Sequence, residues 1–176
     1  MTNVDSKSLV LGFADSVVAE LQSAWRKIVH CLEQLSDEQL WDRSASEMNS
    51  IANLLLHLDG NLRQWIVAGL SGTADTRNRP SEFAERGPIA RETLVARLSK
   101  TLSEAERQIL DQSPADLLRV RKVQGFDVSG FDAILSSVSH FRGHCQEIVH
   151  MTRALLGADY RFDFVPQTPE QGAPSE

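Results

Sequence analysis

The chain has 176 residues, with 18 Lys and Arg against 24 Asp and Glu, a net charge of -6 at neutral pH. That length suits one domain with a full hydrophobic core, and the acidic balance supplies no field to draw in a phosphate backbone, which argues against nucleic-acid partners. No stretch approaches the roughly 20 apolar residues of a membrane span and the first residues carry no apolar leader, so a soluble, cytoplasmic protein without a membrane partner is expected.

From Asp5 or Ser6 onward, Leu9, Phe13, Val17, Leu21, Trp25, Ile28, Leu32 and Leu35 recur at steps of three or four. This stripe predicts a long first helix ending near Leu35. Ser36-Asp37-Glu38-Gln39 has capping-box spacing and starts a short turn carrying Leu40 and Trp41, which the polar run Arg43 to Met48 ends. A second helix begins near Asn49 or Ser50 and buries Ile51, Leu54, Leu55, Leu58, Leu62, Trp65, Ile66 and Gly69, with Gly69 and Gly72 marking its exit. Ser71 to Gly87 reads as a loop and Pro88 as the first turn of a third helix bearing Leu94, Leu98, Leu102, Ala105 and Ile109. Ser113-Pro114 stops that helix.

Brief alternation around Gly125 predicts an extended or hairpin-like excursion between Val120 and Ser129. Ser129 or Gly130 then caps a last helix whose stripe is Phe131, Ile134, Val138, Phe141, Cys145, Ile148, Val149, Thr152 and Leu156, up to Gly157. These four amphipathic helices indicate an all-α, four-helix-bundle domain over residues 1–157. Residues 158–176 form a proline-bearing tail, whose final stretch is expected to be disordered.

His140 and His144 lie four residues apart, so one helical face carries both imidazoles toward one point. His57 occupies the polar shoulder of the second helix beside Ser50, Asn61 and Gln64, and a third imidazole from there would complete a three-nitrogen site with open positions, the arrangement of a catalytic metal and not of a closed structural one; spacing alone leaves a solvated or hydrogen-bonded histidine pair as the alternative reading. By helical rotation His30 and His150 point elsewhere and read as surface residues. Cys31 and Cys145 read as reduced; Cys145, on the apolar stripe, is a buried structural thiol and not a nucleophile. Glu147-Ile148-Val149-His150 has the Glu-x-x-His spacing of di-iron bundles, but those need two such motifs and the chain has one.

Leu40-Trp41-Asp42-Arg43, Asn49 to Leu58, Asn61-Leu62-Arg63-Gln64-Trp65-Ile66, Glu82-Phe83, Gly87-Pro88, Ala115-Asp116-Leu117-Leu118 and the last helix with His140, His144, Ile148 and Thr152-Arg153 resemble the DinB/YfiT-like superfamily of bacterial stress-associated four-helix proteins. The resemblance extends to Gly157. It implies an up-down-down-up bundle, a homodimer, and a divalent zinc or nickel ion held by His57, His140 and His144. It also implies a small-molecule reaction, foremost transfer of a low-molecular-weight thiol such as mycothiol or bacillithiol, with metal-dependent hydrolysis and a non-catalytic metal-binding stress protein as the alternatives. Members similar to this sequence tend to have Gly-Gln after the last ligand, where this chain has Gln146-Glu147. Glu147, one turn beyond His144, is a candidate for orienting an imidazole, for acid/base work, or for simple solvation. Arg77, Arg79, Arg86 and Arg91 form a supply of anion-binding groups, though arginines in surface loops are usually solvated.

Overall fold

The structure, a computed structural model, describes residues 5–164; the residues of the expected disordered stretch beyond Phe164 lie outside that range. Asp5 caps α1 (Ser6–Leu32) by accepting the Ser8 N–H, and Ser36 opens α2 (Asp37–Trp41) with the expected capping box. Ser50 and Asn53 form a second capping box at the start of α3 (Ile51–Leu62), every residue of which is buried. That helix continues through a π-helical segment, Arg63–Ala68, into a closing turn, α4 (Gly69–Ser71), and Gly72 ends it at a φ of 76°. Next come α5 (Arg79–Ala84), α6 (Arg91–Leu110) and α7 (Pro114–Leu118). β1 (Val120–Val123) and β2 (Phe126–Ser129) form an antiparallel hairpin in the register Val120↔Ser129 to Val123↔Phe126. α8 (Gly130–Leu156) is capped by Ser129 and ends at Gly157.

The four long helices surround one core. α1 packs on α8 and α6, and α3 packs on the same two from the opposite side. Their apolar stripes meet in Leu21, Ile28, Leu32, Leu54, Leu58, Leu62, Leu98, Ile134, Phe141 and Ile148, all nearly inaccessible. At such positions an aliphatic side chain contributes roughly 1.5–3 kcal/mol by leaving water. None of the described helices is long and apolar enough to cross a membrane.

Four expectations are corrected, and a fifth is extended. Leu9 is 68% exposed and Phe131 39% exposed, because α1 and α8 extend beyond the core there and Phe131 stacks on Phe13 at 4.6 Å instead. The extra residue per turn in the π segment rotates the residues after it, so Leu70 is buried where Gly69 was the expected face. The region read as a loop contains α5, capped by Asn78 with Pro80 in its first turn. The third helix starts at Arg91 and not at Pro88, since Ile89 accepts a hydrogen bond from the Trp41 indole and Arg91 donates to the carbonyls of Leu32 and Leu35, holding the approach extended. Ser113-Pro114 not only closes off α6 but starts α7, with Ser113 and Asp116 as its capping box.

The first tail residues fold back on α1. Arg161 donates its N–H to the Gln34 side chain at 2.7 Å, and Lys27 pairs with Asp163 at 2.7 Å. His30 is therefore half-buried, its Nε2 2.6 Å from the Arg161 carbonyl, whereas His150 is exposed as expected.

Candidate metal centre

His57 projects from the buried α3, and His140 and His144 project from successive turns of α8 where the two helices pack. The three rings form one cluster. Their centroids are 5.0 Å (His57–His140), 5.2 Å (His57–His144) and 4.4 Å (His140–His144) apart, and the ring planes cross at 76°, 85° and 88°. One ring nitrogen from each lies within 4.8 Å of the others. Near-perpendicular rings are how three imidazoles converge on a point without their edges colliding.

Neighbouring carboxylates fix the proton positions. Glu82 Oε2 stands 2.9 Å from His57 Nδ1, so Nδ1 carries the hydrogen and donates it, which leaves the Nε2 lone pair facing His140. Glu147 Oε2 does the same for His144 Nδ1 at 2.6 Å. His57 Nε2 and His140 Nε2 are 2.9 Å apart. Two nitrogens bonded at about 2.0–2.1 Å to one ion stand roughly 3.0–3.4 Å from one another, so this spacing is close to that of a shared cation. Converging imidazoles, two of the three oriented from behind by a carboxylate, fit a divalent metal.

Electrostatics favour the neutral form of His57 and His140. Burial pulls the His57 pKa down, against the upward pull of Glu82, with Arg77 adding to the decrease. Burial, then the neighbouring His144, His57, Arg77 and Arg79, push His140 down to about 4. Neutral imidazole is the ligating form.

Glu82 is the residue of this cluster that periodicity missed, because it sits on α5, in the stretch read as a loop. The side chain is 6% exposed, and Arg77, 3% exposed, donates Nε to its Oε1 at 2.7 Å and Nη2 to its Oε2 at 2.8 Å. Arg77 Nη2 also lies 3.0 Å from His57 Nδ1, but both are donors and Glu82 is the acceptor they share. Arg77 is thus committed to Glu82 and to Gln64 Oε1, and is not a free anion binder. Asn53 ties α5 in place by donating to the carbonyls of Glu82 and Glu85, and Arg43 bonds the Asn53 side chain, which gives physical roles to the motif residues around Trp41-Asp42-Arg43 and Asn53. Gly60 completes the cradle: a Cβ there would lie 2.0 Å from Glu82 Oε1. The sequence signal for Glu82 was chemical, since a ligating imidazole calls for an acceptor behind it.

Cys145 is buried against the Ala24 carbonyl and its thiol is pushed up to about 11 by burial, and Cys31 is also buried and free. Neither belongs to the centre.

A sequence profile of the family described as "Protein of unknown function (DUF1572)" matches residues 10–168. No curated protein matches. Among solved structures, a conserved protein from Enterococcus faecalis is similar with a TM-score of 0.69 and 15% identity, covering 81% of this chain and 96% of that one. A DinB-like protein, YjoA, from Bacillus subtilis is similar with a TM-score of 0.63 and 14% identity, covering 84% and 96% respectively.

Proposed function

Because the chain belongs to the DUF1572 family and has the fold of DinB-like proteins, we propose that it is a metal-dependent enzyme with a divalent zinc or nickel ion held by His57, His140 and His144. The observation that carries this reading is the convergence of three imidazoles, two of them oriented by carboxylates, beside a cavity. Three nitrogens leave coordination positions open, as a catalytic centre requires. The bundle runs up-down-down-up in this reading, supported by pairs that ascend together along α1 and α8 (Phe13 with Phe131, Glu20 with Arg142) and oppositely along α3 and α8 (His57 with His140, Asn61 with Ser137).

The foremost activity is transfer of a low-molecular-weight thiol to an electrophile. The bound ion supplies positive charge that favours thiolate over thiol near neutral pH. Glu82 holds the proton on His57 Nδ1, Arg77 holds Glu82, and Glu147 holds the proton on His144 Nδ1, so each of these two rings keeps one tautomer. Glu147 is accordingly a positioning residue in this reading and not an acid or base. Trp65, half-buried with its indole donating to Gln124 Oε1 at 3.2 Å, forms one wall of the cavity.

A homodimer is part of the reading, supported by the exposed Leu9, Phe131 and Leu135 along the α1 and α8 ends. A monomeric mass in light scattering at micromolar concentration overturns that part.

The deciding experiment is elemental analysis of freshly purified protein followed by a bimane-based thiol-transfer assay with mycothiol, bacillithiol, glutathione and coenzyme A, with His57→Ala as control. Metal-dependent turnover lost in the control supports transfer. Ester hydrolysis without thiol transfer moves the assignment to a hydrolase, and bound metal with neither activity moves it to a non-catalytic metal-binding protein.

A further inference from the structure

The cavity beside the triad has a volume of about 250 Å³ and is walled by Asn61, Trp65, Gln124, Arg77 and Arg79 over His57 and His140. That is below the roughly 300–1,000 Å³ of a drug-sized pocket, so its occupant is small. Its charge is one-sided. Among the described residues no carboxylate lines it, whereas the neighbouring cavity of about 330 Å³, behind Glu82, contains Asp75 and Glu82 opposite its arginines.

Of the two arginines that line the cavity beside the triad, Arg79 is the one whose charge is not already paired with a carboxylate among the described residues. Arg77 is spent on Glu82, Arg86 donates to the carbonyls of Phe83 and Glu85, and Arg91 caps the end of α1. Arg79 has no carboxylate partner among the described residues; its guanidinium lies over the Phe83 ring, 4.8 Å from the centroid. Phe83 in turn packs on His57 with ring centroids 4.8 Å apart. One aromatic ring thus couples the position of the guanidinium to that of a triad imidazole. Stacking also leaves the planar edge of the guanidinium, with its fork of N–H donors, available for a bidentate acceptor.

We propose that this cavity takes a small carboxylate-bearing substrate, whose carboxylate pairs with Arg79 while its other end reaches the triad. The inference rests on the reading of the triad as a metal site, which receives that other end. Nothing in the cavity walls would repel the anion, and the two amides, Asn61 and Gln124, supply neutral polar groups for the remainder of the molecule.

The test uses mercaptopropionate and its uncharged amide, which share a thiol and differ in the carboxylate. Binding to the full-length, metal-loaded protein is measured by calorimetry, with metal content determined on the same samples. The acid is expected to bind about tenfold more tightly than the amide, as a charge-assisted bidentate pair requires. In Arg79→Gln the difference should fall to near unity with the metal content unchanged; Arg79→Lys should keep part of it and Arg86→Gln all of it. Equal binding of acid and amide to the wild type, or a preference that survives in Arg79→Gln, overturns the subsite while leaving the metal reading standing. Protein that retains no metal and binds neither probe overturns the metal reading, and the subsite with it.

Discussion

Glu82 Oε2 lies 2.9 Å from Nδ1 of His57, and both side chains are nearly inaccessible to water. A carboxylate so placed needs a cation, and Arg77 provides it through two nitrogens. The imidazole on α3 is therefore fixed from behind by a short helix that lies 25 residues further along the chain.

Glu82→Gln should weaken metal binding about 10- to 100-fold, the usual consequence of losing an acceptor behind a ligating histidine. It also leaves Arg77 buried without its counter-charge, so stability should fall by about 3–5 kcal/mol. Competition with a chromophoric chelator and urea unfolding read the two effects separately. Unchanged metal affinity with lowered stability would make Glu82 purely structural.

Gly60→Ala should destabilise, contrary to the usual gain of about 0.5–1 kcal/mol for this change within a helix. The added Cβ would meet Glu82 Oε1 at 2.0 Å and Arg77 Nε at 2.9 Å, and one of them must move. The expected result is reduced stability in urea together with weaker metal binding. A variant as stable as the wild type would show that the cradle is loose.

His57→Ala, His140→Ala and His144→Ala should each strip bound metal, whereas His30→Ala and His150→Ala should retain it. His30 is committed to the carbonyl of Arg161 and His150 faces solvent. Elemental analysis of the five proteins decides; full stoichiometry in the His140→Ala/His144→Ala double variant would refute the assignment of these ligands.

The thiols should resist alkylation in the native protein. Burial pushes Cys145 up to about 11 and also raises Cys31, so at pH 8 almost no native thiolate exists at Cys145. The raised pKa means that the native rate should climb as pH rises toward about 11, while unfolded thiols, ionising near 8.5, react fully well below that. Iodoacetamide labelling with and without urea, followed by mass spectrometry, measures the contrast. Rapid native labelling at Cys145 would contradict its burial.

Periodicity in the sequence determined the four long helices, placed three of their starts to within a residue (Asp5 or Ser6, Asn49 or Ser50, Ser129 or Gly130), and set His140 over His144, because each depends on contacts within a few residues. The hairpin was legible from Gly125 and the alternation around it. The resemblance in the motifs supplied the pairing of His57 with the other two. What only the tertiary structure decided is everything that joins distant segments: the π segment that turns Leu70 inward, the extended approach to α6 held by Trp41 and Arg91, and the placing of α5. Glu82, Arg77 and Arg79 all looked like charges in a surface loop. Asn53 draws α5 onto α3, Gly60 leaves room for the buried ion pair, and Arg79 is left stacked on Phe83 at the cavity. A local pattern cannot distinguish a solvated charge from a buried one, since burial is set by which remote backbone groups and side chains pack around it.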